Sequence, residues 1–157
     1  MDVSSLISLF GQEAGVNLTL SEAGTASLAF ESGSVLHLEH DPQADALHCY
    51  VVLGQAPADP MRRHDVFRRM LAANAFGRDT DGATLGLDEV TGELLLSRRL
   101  DLSYADTACL RAAVESMVAV AADWQGRLNG ADPTPASDAA EGMSPSGVLP
   151  PDFGLRV

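Results

Sequence analysis

Apolar residues recur at intervals of three and four in the segment 2–14, which is the spacing of one face of a helix. They are Val3, Leu6, Ile7 and Phe10. Asp2 or Ser4 can cap the first turn, and Gly15 follows at the other end, where a residue that tolerates positive φ commonly ends a helix. The pattern predicts a short amphipathic helix.

The period then changes to two in the stretches "TASLAFESGSVLHLEH" and "ALHCYVVLG", as expected of half-buried strands. Ser32-Gly33 supplies a turn inside the first stretch, and "DPQAD" interrupts the chain before the second. The alternating apolar residues of the first two strands are Ala26, Leu28, Phe30, Leu36 and Leu38. Those of the third strand are Leu47, Cys49, Val51 and Leu53. We predict three sequential strands in an antiparallel meander.

A second helix is predicted over residues 60–75, because Asp59-Pro60 is a favourable helix start. Its apolar stripe comprises Val66, Phe67, Met70, Leu71 and Ala73. The other side of the helix carries Arg62, Arg63, Arg68 and Arg69. We interpret these arginines as a solvated face that balances neighbouring acids, and contact with an acidic partner is the alternative.

The stretch "ATLGLDEVTGELLLSRRLDL" predicts two further strands, at 84–87 and 94–98, with Gly92 in the turn between them. Ser103 or Asp106 can cap a last helix that runs to about residue 128. Its buried stripe is predicted to be Leu110, Val114, Met117, Val118 and Ala121. The element order α-β-β-β-α-β-β-α predicts an α+β domain with an antiparallel sheet flanked by helices.

The composition changes after Asn129-Gly130 to a stretch rich in Pro, Ser, Gly and Ala without periodicity. Such a stretch buries too little apolar surface to offset its ordering entropy. We therefore predict a domain over residues 1–129 and a flexible tail over 130–157. An apolar docking motif near the end of the tail is the alternative, formed by Val148, Leu149, Phe153 and Leu155.

The charge of the chain narrows the classes of partner. A net charge of -12 and a pI near 4.4 disfavour nucleic acids and anionic membranes. No apolar run approaches the roughly 20 residues that span a bilayer, and the first ten residues lack the Lys or Arg of an export signal. We expect a cytoplasmic protein that does not insert into membranes.

No residue pattern indicates catalysis, a cofactor or a metal site. His37, His40 and His48 lie on neighbouring predicted strands without three-ligand spacing, and His64 is expected on the arginine-bearing face of the second helix. Cys49 and Cys109 show no metal spacing either, and we expect two reduced and mostly buried thiols. Glycine-rich phosphate loops and nucleophile elbows are missing from the sequence.

Apolar material exceeds what one small sheet readily buries. The second helix supplies Phe67, Met70 and Leu71, and Phe76 follows directly. A self-complementary two-fold contact would cover this excess, so we expect a homodimer.

The sequence resembles the class I type III secretion chaperones of the Tir-chaperone (CesT-like) family. The resemblance rests on "LAFESGSVLHLEHD" at 28–41, "LHCYVVLGQAP" at 47–57 and "FRRMLAANAFGRDTDGATLGLDEVTGELLLSRRLDL" at 67–102, with "AADWQGRL" closing the last helix. It spans roughly residues 3–128. The most specific part is "LAAN" followed by "GATLGLD" and "TGELLLSRRL", and the tail after 129 is longer than a minimal member needs.

The resemblance implies a homodimer that holds the unfolded N-terminal segment of a secreted effector without ATP and delivers it to the export ATPase. Binding would combine apolar grooves with strand addition at a sheet edge. The expected effector-contacting surface residues are Leu6, Phe10, Leu28, Phe30, Leu36 and Leu38. The expected dimer contacts are Val66, Phe67, Met70, Asn74 and Leu95. Effector identity and the number of effectors stay open.

Two other functions are compatible with the sequence. A regulatory adaptor of the same fold could sequester a partner that is not secreted, such as a transcription factor. A small-molecule enzyme would need a deep polar pocket with perturbed carboxylates. The chaperone is the preferred hypothesis.

Overall fold

The structure is a computed structural model and describes residues 2–130. The elements are α1 (Val3–Glu13), β1 (Thr25–Ala29), β2 (Val35–Asp41), β3 (Ala46–Gln55), α2 (Pro60–Asn74), a 3-10 turn (Ala75–Gly77), β4 (Thr84–Asp88), β5 (Glu93–Asp101) and α3 (Thr107–Leu128). The predicted α+β order is confirmed. Apart from Gly130, the predicted tail lies outside the described residues.

An aspartate caps each of the three helices. Asp2, Asp59 and Asp106 each accept a hydrogen bond from the backbone N–H three residues further on, at 2.7–3.0 Å. Such a cap satisfies one of the orphan donors of the first turn and contributes about 1 kcal/mol. Of the candidate caps, Asp2 is therefore used rather than Ser4, and Asp106 rather than Ser103.

The five strands form one antiparallel sheet in the order β1-β2-β3-β5-β4. The predicted meander of the first three strands is confirmed. Gly33 and Gly92 both take positive φ in the turns of the β1–β2 and β4–β5 hairpins, where a side chain would be strained. The order leaves β1 and β4 as the two edges of the sheet.

Within residues 2–130, helices cover only one face of the sheet. Helix α3 packs across β3 and β5, and α1 packs against α3. Glu13 joins the two helices by accepting hydrogen bonds from Arg111 and Thr107, which lower the pKa of its carboxyl. The strand side chains buried on this face are Ala26, Leu36, Leu38, Leu47, Cys49, Val51, Leu53, Leu85, Leu94 and Leu96. We call the opposite side of the sheet the open face.

One predicted burial is wrong. Cys109 is exposed, because it lies in the first turn of α3, about 100° around the helix from Leu110 and the rest of the buried stripe. Leu71, which was predicted to belong to the apolar excess of the second helix, is 72% exposed in the subunit, because the buried stripe of α2 passes through Val66, Met70 and Ala73. Cys49 is buried as expected.

The covered face predicts which leucines carry the stability of the subunit. Leu96 is fully buried in β5, so Leu96→Ala should lower the free energy of unfolding by about 2–5 kcal/mol. Leu9→Ala on α1 is the matched control, since Leu9 is 40% exposed, and its loss should be below about 1 kcal/mol. Urea denaturation at one fixed protein concentration measures both. Equal losses would contradict a sheet with a single covered face.

Candidate functional site

An apolar groove runs between α2 and the edge strand β4. It has a volume of about 250 Å³ and is lined by Phe67, Met70, Leu71, Asn74, Leu85, Gly86 and Leu87. We call it the α2–β4 groove. Leu71 and Leu87 are among the exposed large apolar side chains of the subunit. An exposed apolar recess of this kind favours contact with another protein surface.

Asn74 fixes one wall of the groove to the other. Its Nδ2 donates to the carbonyl oxygen of Leu85 at 3.0 Å, and its Oδ1 accepts from the Leu85 N–H at 2.9 Å. Successive residues of an edge strand direct their backbone groups alternately into the sheet and outward. Asn74 therefore satisfies the outward-facing N–H and C=O of Leu85 in β4. A further strand could not pair with these two groups, because the Asn74 side chain occupies them.

The predicted dimer contacts divide into three groups. Phe67, Met70 and Asn74 are brought together as lining of the groove. Val66 is buried in the core of the subunit. Leu95 is half-buried on the open face, opposite Gly86 in the register. The dimer contact itself stays a prediction for these residues.

Sequence reasoning missed part of the groove. Leu85, Gly86 and Leu87 come from "GATLGLD", a segment quoted for its resemblance but not selected as a contact. Their signal was the alternation of Leu85 and Leu87 in the predicted strand 84–87, and the sequence order does not show that this strand forms an edge of the sheet. Leu71 was identified as part of the apolar excess of the second helix but was not among the predicted dimer contacts.

Opposite charges flank the groove. The α2 wall carries four arginines and one aspartate, while the hairpin that follows β4 carries Asp88, Glu89 and Glu93. Hydrogen bonds from Arg68 and then Arg69 hold the pKa of Asp65 below its ordinary value. The backbone N–H of Val90 does the same for the pKa of Asp88. Both carboxyls are therefore ionised at neutral pH, and the helix keeps an excess of positive charge.

The open face of the sheet has a polar row beside an apolar row. The polar row follows the register Ser27, His37, Tyr50, Ser97 and Thr84. Within it the His37 and Tyr50 rings stack at 4.9 Å, and the Ser27 hydroxyl lies 2.9 Å from Nδ1 of His37. The neighbouring apolar row comprises Ala29, Val35, Val52, Leu95 and Gly86.

Four of the six predicted effector contacts are core residues, which corrects the expectation that they lie on the surface. Leu6 and Phe10 face inward from α1, and Leu36 and Leu38 lie on the covered face of β2. Each is at most 4% exposed, because α1, α3 and the sheet enclose them. The same amphipathic pattern that predicted an apolar surface here forms the inside of the subunit.

Leu28 and Phe30 are placed differently. Both are half-buried at the margin of the core on the β1 side. Val35, which pairs with Ala29, is an exposed apolar side chain at the start of β2, and Leu9 on α1 and Val16 after it are exposed as well. The subunit thus keeps exposed apolar side chains on its first elements although its core is closed.

The edge of β1 is open to a further strand. Gly24 accepts from the His40 N–H, and Phe30 donates to Ser34, so alternate residues of β1 are bonded to β2 in this register. By the same alternation, the N–H and C=O of Ser27 and Ala29 point out of the sheet. Outward groups of this kind form the template to which an extended segment can add.

Within residues 2–130, no three His, Cys, Asp or Glu side chains are grouped to hold a metal ion. Burial raises the pKa of the Cys49 thiol to about 12, so it is not a thiolate nucleophile at neutral pH. Across the same residues, every helix is too short or too polar to cross a bilayer.

The two thiols are expected to differ in reactivity. One thiol per chain should react with a disulfide reagent at pH 8 under native conditions and two in denaturant, because Cys109 is exposed and Cys49 is not. Cys109→Ser should abolish the native reaction and leave one thiol in denaturant. Two reactive thiols in the native state would show that β3 opens readily.

Removing the Asn74 clamp should weaken the attachment of α2 to β4. We expect Asn74→Ala to lower the free energy of unfolding by about 1–3 kcal/mol, since two backbone groups of Leu85 lose their partner. Asn74→Asp should be no better, because its carboxylate would face the Leu85 carbonyl. Asn17→Ala is the control at an exposed position and should change stability by less than about 0.5 kcal/mol. Equal effects at 74 and 17 would contradict the clamp.

Known proteins share this fold. A chain of the ExsC–ExsE complex superposes with a TM-score of 0.66 at 24% identity, and the match covers 82% of this chain and 97% of the other. A chain of the HopA1–SchA chaperone–effector complex superposes with a TM-score of 0.64 at 17% sequence identity, and the match covers 77% of this chain and 91% of the other. The structure of the Yersinia pestis type III secretion chaperone SycH in complex with a fragment of YscM2 superposes with a TM-score of 0.58 at 21% sequence identity. That match covers 77% of this chain and 98% of the other. A comparison with curated protein sequences finds no match.

The sequence itself identifies the family. Residues 5–125 match the Tir chaperone protein (CesT) family, from the first turn of α1 to the last turn of α3. The solved structures of similar fold include chaperones of type III secretion. The chain belongs to the Tir chaperone protein (CesT) family.

Proposed function

We propose that this protein is a type III secretion chaperone that binds the N-terminal, unfolded segment of a secreted effector and keeps it soluble and competent for export without ATP. The observation that carries the proposal is the open edge of β1, where Ser27 and Ala29 direct backbone groups outward beside half-buried Leu28 and Phe30. The family membership and the chaperone–effector complex of the same fold support it.

Binding begins, in this proposal, with a short effector strand that adds to β1. Backbone hydrogen bonds give such a strand affinity with little dependence on sequence, and apolar pockets select its alternate side chains. Leu28 and Phe30 provide the pockets at this edge, and Leu9 and Val16 extend the apolar surface along α1 and beyond it. The bound effector segment stays extended, because folding would remove its apolar side chains from these pockets.

The working unit is a homodimer formed through α2 and β4. The α2–β4 groove is apolar and open to solvent in one subunit, and a two-fold contact would cover it twice. The dimer presents two β1 edges to one effector segment. Two weak contacts on one chain bind more tightly than either alone.

The charge of the protein fits a holding role. A net charge of -12 keeps the chaperone soluble while it carries an apolar client, and repulsion disfavours association between complexes. We place the complex in the bacterial cytoplasm and assign its delivery to the export ATPase. The regulatory adaptor of the same fold would use the same edge for a partner that is not secreted.

Strand addition is tested by Ser27→Pro. Proline removes an outward N–H but leaves the β1–β2 hydrogen bonds in place, so the fold should persist while effector binding weakens by at least about tenfold. Ser27→Ala is the matched control: it removes the same hydroxyl contact with His37 and should bind as the natural chain does. Isothermal titration with the N-terminal segment of an effector from the same genome measures both.

Two results would contradict the proposal. Undiminished binding by a folded Ser27→Pro variant would exclude strand addition at β1. Failure of the natural chain to bind any effector segment, combined with capture of a partner that is never exported, would favour the adaptor. Circular dichroism and a thermal melt establish that each variant is folded.

A further inference from the structure

Phe76 is an aromatic side chain that the subunit presents to solvent in a strained backbone conformation. It is 93% exposed, and its φ of 61° lies in the left-handed region that bulky residues rarely adopt. The residue lies two positions after Asn74, which ends α2 and lines the α2–β4 groove. Strained backbone conformations cluster at functional sites, so a strained residue that holds an aromatic ring in solvent indicates a function for that ring.

The loop around Phe76 is fixed by contacts on its far side. The Trp124 Nε1–H donates to the Asp79 carbonyl at 3.0 Å, and Arg98 donates to the Asp81 carbonyl. The Asp81 carboxylate accepts from Ser116. Because strands and α3 hold the loop in this way, the left-handed turn at Phe76 persists and directs the ring outward.

The groove beside this loop has the size and chemistry for such a ring. Its volume is about 250 Å³, and an apolar cavity of about 150 Å³ is known to bind benzene. Its lining is formed almost wholly by carbon, from Phe67, Met70, Leu71 and Leu87. Phe76 of the same chain is not among the residues that line it.

Charge complementarity selects a second copy as the source of the ring. The α2 wall has an excess of arginine, including Arg63 and Arg68, whereas the β4–β5 hairpin opposite carries Asp88 and Glu89. Arg63 and Glu89 line one depression beside the groove, and a two-fold contact across it would pair the α2 wall of each copy with the acidic hairpin of the other. An isologous contact must also be self-complementary in shape, which requires a projection and a recess on the same patch.

We propose that Phe76 of each copy enters the α2–β4 groove of the other, so that two reciprocal ring insertions lock the dimer. The inference rests on the homodimer of the proposed function and assigns its central contact. It also accounts for the strain at Phe76, because a relaxed turn would not project the ring.

The direct test compares Phe76→Ala and Phe76→Gly with the natural chain by sedimentation equilibrium. Each variant should raise the dimer dissociation constant by roughly a hundredfold, because two ring burials are lost per dimer. Phe76→Gly also removes the strain at positive φ, so its subunit should melt at a higher temperature than that of Phe76→Ala. Val90→Ala is the control: Val90 is 95% exposed in the adjacent hairpin and should leave the dissociation constant unchanged.

A mixing experiment tests the reciprocity. Leu71→Glu puts a charge at the groove without disturbing the core, since Leu71 is exposed and Glu is a good helix former. Phe76→Ala and Leu71→Glu should each dimerise poorly alone. Mixed, they should form a heterodimer, because the ring of the Leu71→Glu chain meets the intact groove of the Phe76→Ala chain. The heterodimer should bind at least about tenfold more tightly than either variant homodimer, which is one restored ring burial.

The outcomes separate this inference from the proposed function. An unchanged dissociation constant for Phe76→Ala, or no gain on mixing, would overturn the ring insertion, while dimerisation and effector binding by the natural chain would leave the function standing. A dimeric Phe76→Ala that no longer binds effector would assign Phe76 to the effector and likewise overturn it. A natural chain that is monomeric yet binds effector would overturn the ring insertion and retain the chaperone.

Discussion

A sheet covered on one face is the constraint on which this protein depends. Helix α3 lies across β3 and β5, and α1 is held against α3 by Glu13, so all the large core side chains of the strands point the same way. Burial of those side chains supplies the stability of the subunit. Within residues 2–130, the same arrangement leaves the open face and the β1 edge of the sheet uncovered, while α2 borders the β4 edge.

The two edges are treated differently by the fold. Asn74 bonds both outward groups of Leu85 and so ties β4 to α2, which turns that edge into the wall of an apolar groove. The outward groups of Ser27 and Ala29 on β1 point away from the sheet beside half-buried apolar residues. One edge therefore suits packing of side chains, and the other suits pairing of backbones. This difference separates self-association from client binding in the proposed mechanism.

Electrostatics reinforce the division. The protein is strongly acidic, yet four of its arginines lie on α2 beside the groove. Contacts between identical acidic molecules are unfavourable unless positive charge is concentrated where they meet. The placement of the arginines on α2 thus favours a contact between copies at this helix, and the acidic remainder of the surface keeps complexes apart.

Much of the fold could be predicted from the sequence, because the helix caps, the hydrophobic periods and the turn residues indicate the same elements. Aspartate caps, a period of 3.6 in the helices and a period of two in the strands predicted the element order, the meander and the turn at Gly92. The candidate site was only partly readable: Phe67, Met70 and Asn74 were identified, whereas Leu85 and Leu87 were not. An apolar residue in a regular pattern can belong to a core or to an interface, and its pattern is the same in both cases.

The sequence by itself determined the elements, their order and the apolar side of each, because these follow from backbone geometry over a few residues. Only the tertiary structure decided which apolar sides are enclosed. Leu6 and Leu38 became core because α1 and α3 close over the sheet, while Leu71 and Phe76 stayed mostly exposed because no helix or strand within residues 2–130 encloses them. Burial is a property of what packs against a residue, and those neighbours lie far away in the chain.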